Sequence, residues 1–202
     1  MTISSTIVRT SFTMADGVRI IGDVGGDPAA PTAVLMHGGG QTRHSWSGAM
    51  RSLMAAGYHV INYDARGHGE SDWSADGDYS LSLRARDLGE ILHDARGPIG
   101  LVGASMGGAT ALFAVGEQIQ PQPDAIVLVD IVPHPDPVGT GKIRAFMSAN
   151  PEGFASLDEA ADAAREFGHL IDPYLLIDRI EHARIPVPEI TAVAVAQIPG
   201  EP

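Results

Sequence analysis

The residue best equipped for chemistry in this 202-residue chain is Ser105, at the centre of Gly103-Ala104-Ser105-Met106-Gly107. This Gly-x-Ser-x-Gly pattern follows the apolar run Gly100-Leu-Val and opens into a helical pattern. A serine on such a sharp strand-to-helix turn is forced into a strained conformation that lifts its hydroxyl clear of the sheet, and the flanking glycines let neighbouring backbone pass without a Cβ clash. The free N–H groups at the start of the next helix would face negative charge building on a substrate oxygen. These features point to a nucleophile attacking a carbonyl; the plainer reading is a serine that simply occupies a glycine-rich turn.

Other polar candidates carry weaker signals. His37 precedes Gly38-Gly39-Gly40 and reads as a residue that orders this loop by hydrogen bonds, while Arg66, in Asp64-Ala-Arg-Gly-His-Gly-Glu-Ser-Asp72, reads as an internal ion-pair anchor. His44, His59, His68 and His93 read as surface or loop positions, and His134, His169 and His182 as ordinary loop or helix residues. Trp46, Trp73 and Phe113 read as packing or pocket-wall residues. The three glycines at 38–40 are not followed by Lys-Ser or Lys-Thr, and no Gly-x-Gly-x-x-Gly spacing occurs, which argues against nucleotide binding.

Composition narrows the classes further. With 44% hydrophobic residues, the chain fits one domain burying roughly 70% of its unfolded surface. No cysteine is present, so disulfides, thiolate catalysis and Cys-based zinc sites are excluded. Lys and Arg total 13 against 25 for Asp and Glu, a formal charge of −12 that repels nucleic acid and anionic lipid. The first ten residues hold no basic segment leading into an apolar core, and no run reaches the roughly 18 apolar residues of a spanning helix. A cytoplasmic protein with a small-molecule substrate, no nucleic-acid partner and no membrane partner is expected.

The elements that must position Ser105 follow from hydrophobic patterning. Strands are expected at 6–12 and 18–24 around an Asp16-Gly17 hairpin, then at 32–36, 59–63, 98–102 and 125–129. Helical spacing covers 46–56, with Gly57 as its stop, then 81–93 and 109–118. Alternating short strands and amphipathic helices imply right-handed crossovers and a mostly parallel sheet covered on both faces, a three-layer α/β sandwich. Beyond Pro133 a loop over 134–141, a short helix over 143–149, a Ser156-capped helix over 157–167, a helix over 173–182 and a strand over 190–198 are expected.

Met36-His-Gly-Gly-Gly40, Tyr63-Asp-Ala-Arg-Gly-His-Gly-Glu-Ser71 and Val102-Gly-Ala-Ser-Met-Gly-Gly108, in this order and between expected strands, resemble the α/β-hydrolase fold superfamily, nearest to its esterase-, perhydrolase- and epoxide-hydrolase-like members. The likeness covers about 5–133. It implies that Ser105 is the nucleophile and that the backbone N–H groups of Gly39 and Met106 form the oxyanion hole. Epoxide hydrolases and dehalogenases of the superfamily carry aspartate where this chain has Ser105, so the resemblance favours ester, thioester, amide or peracid chemistry through an acyl-enzyme.

The same resemblance implies a triad acid and a later histidine. Asp130 matches the acid position of some members, against a structural carboxylate holding nearby backbone. The 191–197 stretch lacks the expected carboxylate, and no histidine follows His182. The resemblance therefore implies a shortened or altered C-terminus with C-terminal strands missing, organised as a core over 1–133, a partial helical lid over 134–184 and a tail or strand over 185–202. Self-association through an unpaired sheet edge would accompany it. The expected function is a serine hydrolase of carboxylic-ester-hydrolase type acting on a small acyl substrate, without cofactor or metal. A truncated non-catalytic derivative and a cofactor-free perhydrolase are the alternatives.

Overall fold

The computed structural model describes residues 6–95, 97–131, 137–150, 154–156, 158–159, 162–163 and 192–196. The chain divides into two units, Met1–Ile131 with Val187–Pro202, and Val132–Pro186. The first unit carries a seven-stranded sheet: β1 (Ile7–Thr13), β2 (Arg19–Gly25), β3 (Thr32–Met36), β4 (His59–Tyr63), β5 (Ile99–Ala104), β6 (Ala125–Val129) and β7 (Ala192–Ala196). Its order is β1-β2-β4-β3-β5-β6-β7. β3 to β7 run parallel, whereas β1 pairs antiparallel with β2 and β2 with β4. The Asp16-Gly17 turn closes β1 onto β2, with Gly17 at φ 84°.

Side chains alternate between the two faces along the central strands, as a pleated sheet covered on both sides requires. Val34, Met36, Ile61 and Tyr63 enter one apolar cluster with Leu88 and Ile91 of α2 (Leu81–Ile91) and Ala111, Ala114 and Val115 of α3 (Met106–Gly116). Leu35 and Val60 point the other way, onto Met50 and Met54 of α1 (Ser47–Ala55). Ser80 caps α2 by accepting the Leu83 N–H at 3.3 Å. Leu81 is only half-buried and Leu83 takes the inward position instead.

Two element starts differ from the sequence reading by more than two residues. α3 begins at Met106, three residues before the expected start, because Gly107 and Gly108 are helical despite their low propensity. The close approach explains them: a Cβ on Gly107 would lie 2.4 Å from the Met36 carbonyl oxygen, and one on Gly103 would lie 2.5 Å from Gly107. In the second unit, α4 spans Pro137–Ser148, so helix occupies part of the expected 134–141 loop, with proline at its favoured first position. Ser156 accepts the Glu159 N–H at 3.1 Å, the expected cap, while the rest of that helix and the expected 173–182 helix lie outside the described residues. No helix among the described residues is long and apolar enough to cross a membrane.

The fit of α3 against β3 generates a direct comparison. Gly107→Ala should lower the urea-unfolding stability by about 1–3 kcal/mol or more, because backbone must move to admit the methyl group. Gly116→Ala, at the open end of the same helix, meets nothing within 4 Å and should be neutral or stabilising by up to about 1 kcal/mol.

Candidate active site

The strand order brings the candidate residues to one edge of the sheet. β3 lies between β4 and β5, so the segment leaving β3 at His37 runs between the loop after Tyr63 and the turn after Ala104. The carboxyl ends of parallel strands are where such sheets present ligand sites.

Ser105 forms the turn from β5 into α3 at φ 44° and ψ −107°, a conformation L-residues rarely adopt, and its side chain is exposed. Two backbone bonds fix the turn. Ser105 N–H donates to the Val129 carbonyl at 3.0 Å, tying the turn to the end of β6, and Ala109 N–H donates to the Ser105 carbonyl at 2.9 Å. A Cβ built on Gly38 would lie 3.6 Å from Ser105 Cβ, so the serine stands directly against the glycine loop after β3. Gly38 N–H donates to Gln41 Oε1 at 3.0 Å and Gly40 N–H to His68 Nε2 at 3.3 Å. The N–H groups of Gly39 and Met106 meet no acceptor among the described residues.

His37 orders this loop, as the sequence suggested. Its ring accepts the Ala65 N–H at Nε2 (3.0 Å) and donates from Nδ1 to the Gly38 carbonyl (2.7 Å). This is a neutral imidazole with both nitrogens engaged, and burial holds its pKa below the ordinary histidine value of 6.5. His68, expected at a surface or loop position, lies in the loop after β4, and sequence reasoning missed that it is half-buried against His37 with ring centroids 5.1 Å apart. His59 is likewise part-buried in β4, beside Thr32 at 3.4 Å. His44 and His93 are exposed, while His134, His169 and His182 lie outside the described residues.

Arg66 is the internal anchor expected of it. Its guanidinium is fully buried and bonds Asp87 through Nε (2.8 Å) and Nη2 (2.7 Å), and Asp16 through Nη1 (2.8 Å). Burial pushes the Asp87 carboxyl up, and the paired Arg66 bonds oppose that rise. A second cluster joins buried Arg43 to Asp23, Asp64 and Glu70, and Asp64 also accepts the Arg43 and Glu70 backbone N–H groups. These two arginines hold the 64–72 loop rigid below the glycine loop. A cavity of about 10 Å³, room for one water, lies beneath the first turn of α3 beside Arg84, whose Nε is buried without a partner among the described residues.

Asp130 ends β6 at φ 50° with an exposed side chain. No described residue bonds its carboxylate, and residues 132–136, which follow it closely, lie outside the described residues. Trp73, expected in packing, is 76% exposed and meets Tyr79 edge-on, whereas Trp46 and Phe113 pack against the core clusters. No group of three or more metal-ligating side chains occurs among the described residues.

Comparison with known proteins agrees with this architecture. Residues 33–197 match the alpha/beta hydrolase family. Protein phosphatase methylesterase 1 of Bos taurus is 28% identical over 145 residues, covering 69% of this chain and 38% of that protein. Esterase Rv0045c of Mycobacterium tuberculosis is 37% identical over 109 residues, covering 52% of this chain and 34% of that protein. Among solved structures, epoxide hydrolase A from Mycobacterium thermoresistibile superposes with a TM-score of 0.59 at 25% identity, over 70% of this chain and 45% of that one. The chain thus spans little more than a third of the length of these curated relatives.

Two outcomes are expected. Ser105→Gly should raise stability by about 1 kcal/mol in urea melts, because glycine relieves the strained turn. The unfolded chain takes up a proton on His37 near pH 6.5 and the folded chain only at lower pH, so stability should fall as pH drops below 6.5 and level off below the depressed folded pKa. His37→Gln should flatten that slope in melts recorded across this range.

Proposed function

The chain belongs to the alpha/beta hydrolase family, and on that footing we propose that it is a serine hydrolase that cleaves esters of small acyl groups through an acyl-enzyme. The observation that carries this reading is the strained, exposed Ser105 turn beside two unengaged backbone donors, Met106 N–H and Gly39 N–H. Ser105 Oγ attacks the ester carbonyl carbon and its proton passes to a base. The carbonyl oxygen takes the negative charge and accepts hydrogen bonds from Met106 and Gly39, which cost no reorganisation because their loops are already held. Collapse expels the alcohol with a proton and leaves the acyl group on Oγ, and water then releases it. The similarity to a methylesterase and an esterase supports ester substrates.

His37 and His68 cannot serve as the base, since each has both ring nitrogens engaged. We assign the proton to a histidine outside the described residues, and to Asp130 the part of the acid that orients it. The second reading, a non-catalytic derivative that retains the nucleophile-bearing half, is favoured by the lack, among the described residues, of any histidine bonded to the Ser105 hydroxyl. A cofactor-free perhydrolase would share the serine machinery and differ in requiring peroxide.

A fluorophosphonate probe separates the two serine-based readings from the non-catalytic one, and peroxide-dependent activity separates the perhydrolase from the hydrolase. Stoichiometric labelling of the folded wild type, lost in Ser105→Ala, is expected together with turnover of p-nitrophenyl acetate. Folded protein that takes up no probe would favour the non-catalytic derivative.

A further inference from the structure

The glycine loop beside Ser105 closes on itself through Gln41, whose N–H donates to the Gly38 carbonyl at 3.2 Å and whose Oε1 accepts the Gly38 N–H at 3.0 Å, and two histidines tie it to the turn after β4; the acyl-transfer chemistry uses neither of these two ties directly. One is His37, which grips the Gly38 carbonyl at 2.7 Å and the Ala65 N–H at 3.0 Å. The other is His68, whose Nε2 accepts the Gly40 N–H at 3.3 Å while Nδ1–H donates to the Arg66 carbonyl at 3.2 Å. Arg66 cannot drift, because Asp87 and Asp16 fix its buried guanidinium. Gly39 therefore lies between two anchored residues, and the groups that brace the two histidines, Ala65 N–H and the Arg66 carbonyl, both belong to the turn that follows β4.

Free glycine backbone has more conformations to lose than any other, so an untied Gly39-Gly40 segment would sample many directions for its N–H groups. Gly40 sits at φ 72°, a conformation that a glycine adopts readily and leaves as readily. The exposed segment makes few other bonds: Gly39 itself makes none among the described residues, and Gly40 N–H makes the one to His68.

We propose that His68 is a positioning residue for acyl transfer: by accepting the Gly40 N–H from a ring braced on the Arg66 carbonyl, it fixes the direction of the adjacent Gly39 N–H toward the oxyanion. The role requires Nδ1 to carry the proton and Nε2 to be free as acceptor, which the two contacts define. It rests on the serine-hydrolase reading for its catalytic consequence and on the hydrogen bonds alone for its structural one.

The test compares wild type with His68→Asn, which keeps a polar group near Arg66 but is too short for Gly40, and His68→Gln, whose Oε1 reaches the acceptor position. Amide hydrogen exchange over 38–41 reads the anchor without any activity. Fluorophosphonate labelling rate, with kcat and KM on p-nitrophenyl acetate, reads the catalytic consequence. His68→Asn should exchange at least about tenfold faster at the Gly40 N–H and lose about 10–100-fold in labelling rate and kcat with KM within about twofold, the signature of a weakened oxyanion donor. His68→Gln should recover most of both. Unchanged exchange in His68→Asn overturns the anchor, and faster exchange with undiminished kcat overturns the catalytic role. A wild type that never labels defeats the serine-hydrolase reading and the catalytic role with it, while the exchange comparison still decides the anchor.

Discussion

The contact on which the rest of this structure depends is the approach of α3 to β3 and to its own strand, too close for any side chain. Gly107 lies where a Cβ would come within 2.4 Å of the Met36 carbonyl oxygen, and Gly108 where one would come within 2.9 Å of the Gly103 carbonyl oxygen. This approach forces the chain to reverse within one residue, and Ser105 bears the reversal at φ 44°. The helix then begins at once, so Met106 presents a backbone donor with no partner among the described residues. Exposure of the hydroxyl and availability of the donor are two consequences of one packing requirement.

A second layer of constraint comes from below the glycine loop. The buried Arg66 and Arg43 clusters convert the 64–72 turn, which is mostly polar and glycine-punctuated, into a rigid base. Buried ion pairs contribute little net stability, because desolvation offsets the attraction, but removing one partner leaves a costly unpaired charge. Their effect here is to hold a fixed geometry: Ala65 N–H and His68 Nε2 meet the loop after β3 at set positions. The strand order β4-β3-β5 lets this base and the serine turn flank the same three glycines.

Much of the frame was legible in the residues. The runs at 32–36, 59–63 and 125–129 match β3, β4 and β6 in extent, because buried parallel strands are short, apolar and bounded by turn residues. The Ser105 turn was legible because its glycines are required sterically. What patterning could not reach was which loop packs on which. His68 read as a surface or loop position without a partner, because Gly40 is 28 residues away and becomes a neighbour only through the strand order. The start of α3 was misplaced because propensity penalises Gly107 and Gly108, whereas tertiary packing demands them. Trp73 read as a packing or pocket-wall residue on residue type alone and is 76% exposed, and Asp130 gave no sign of its positive φ.

The central proposal is that Ser105, on the turn between β5 and α3, is a working nucleophile. Its most direct measurement is peptide mapping of protein acid-quenched within the first turnovers of p-nitrophenyl acetate. The account predicts the mass of one acetyl group on the peptide containing Ser105, at up to one per chain. Ester consumed with acetyl on another peptide, or on none, would contradict it.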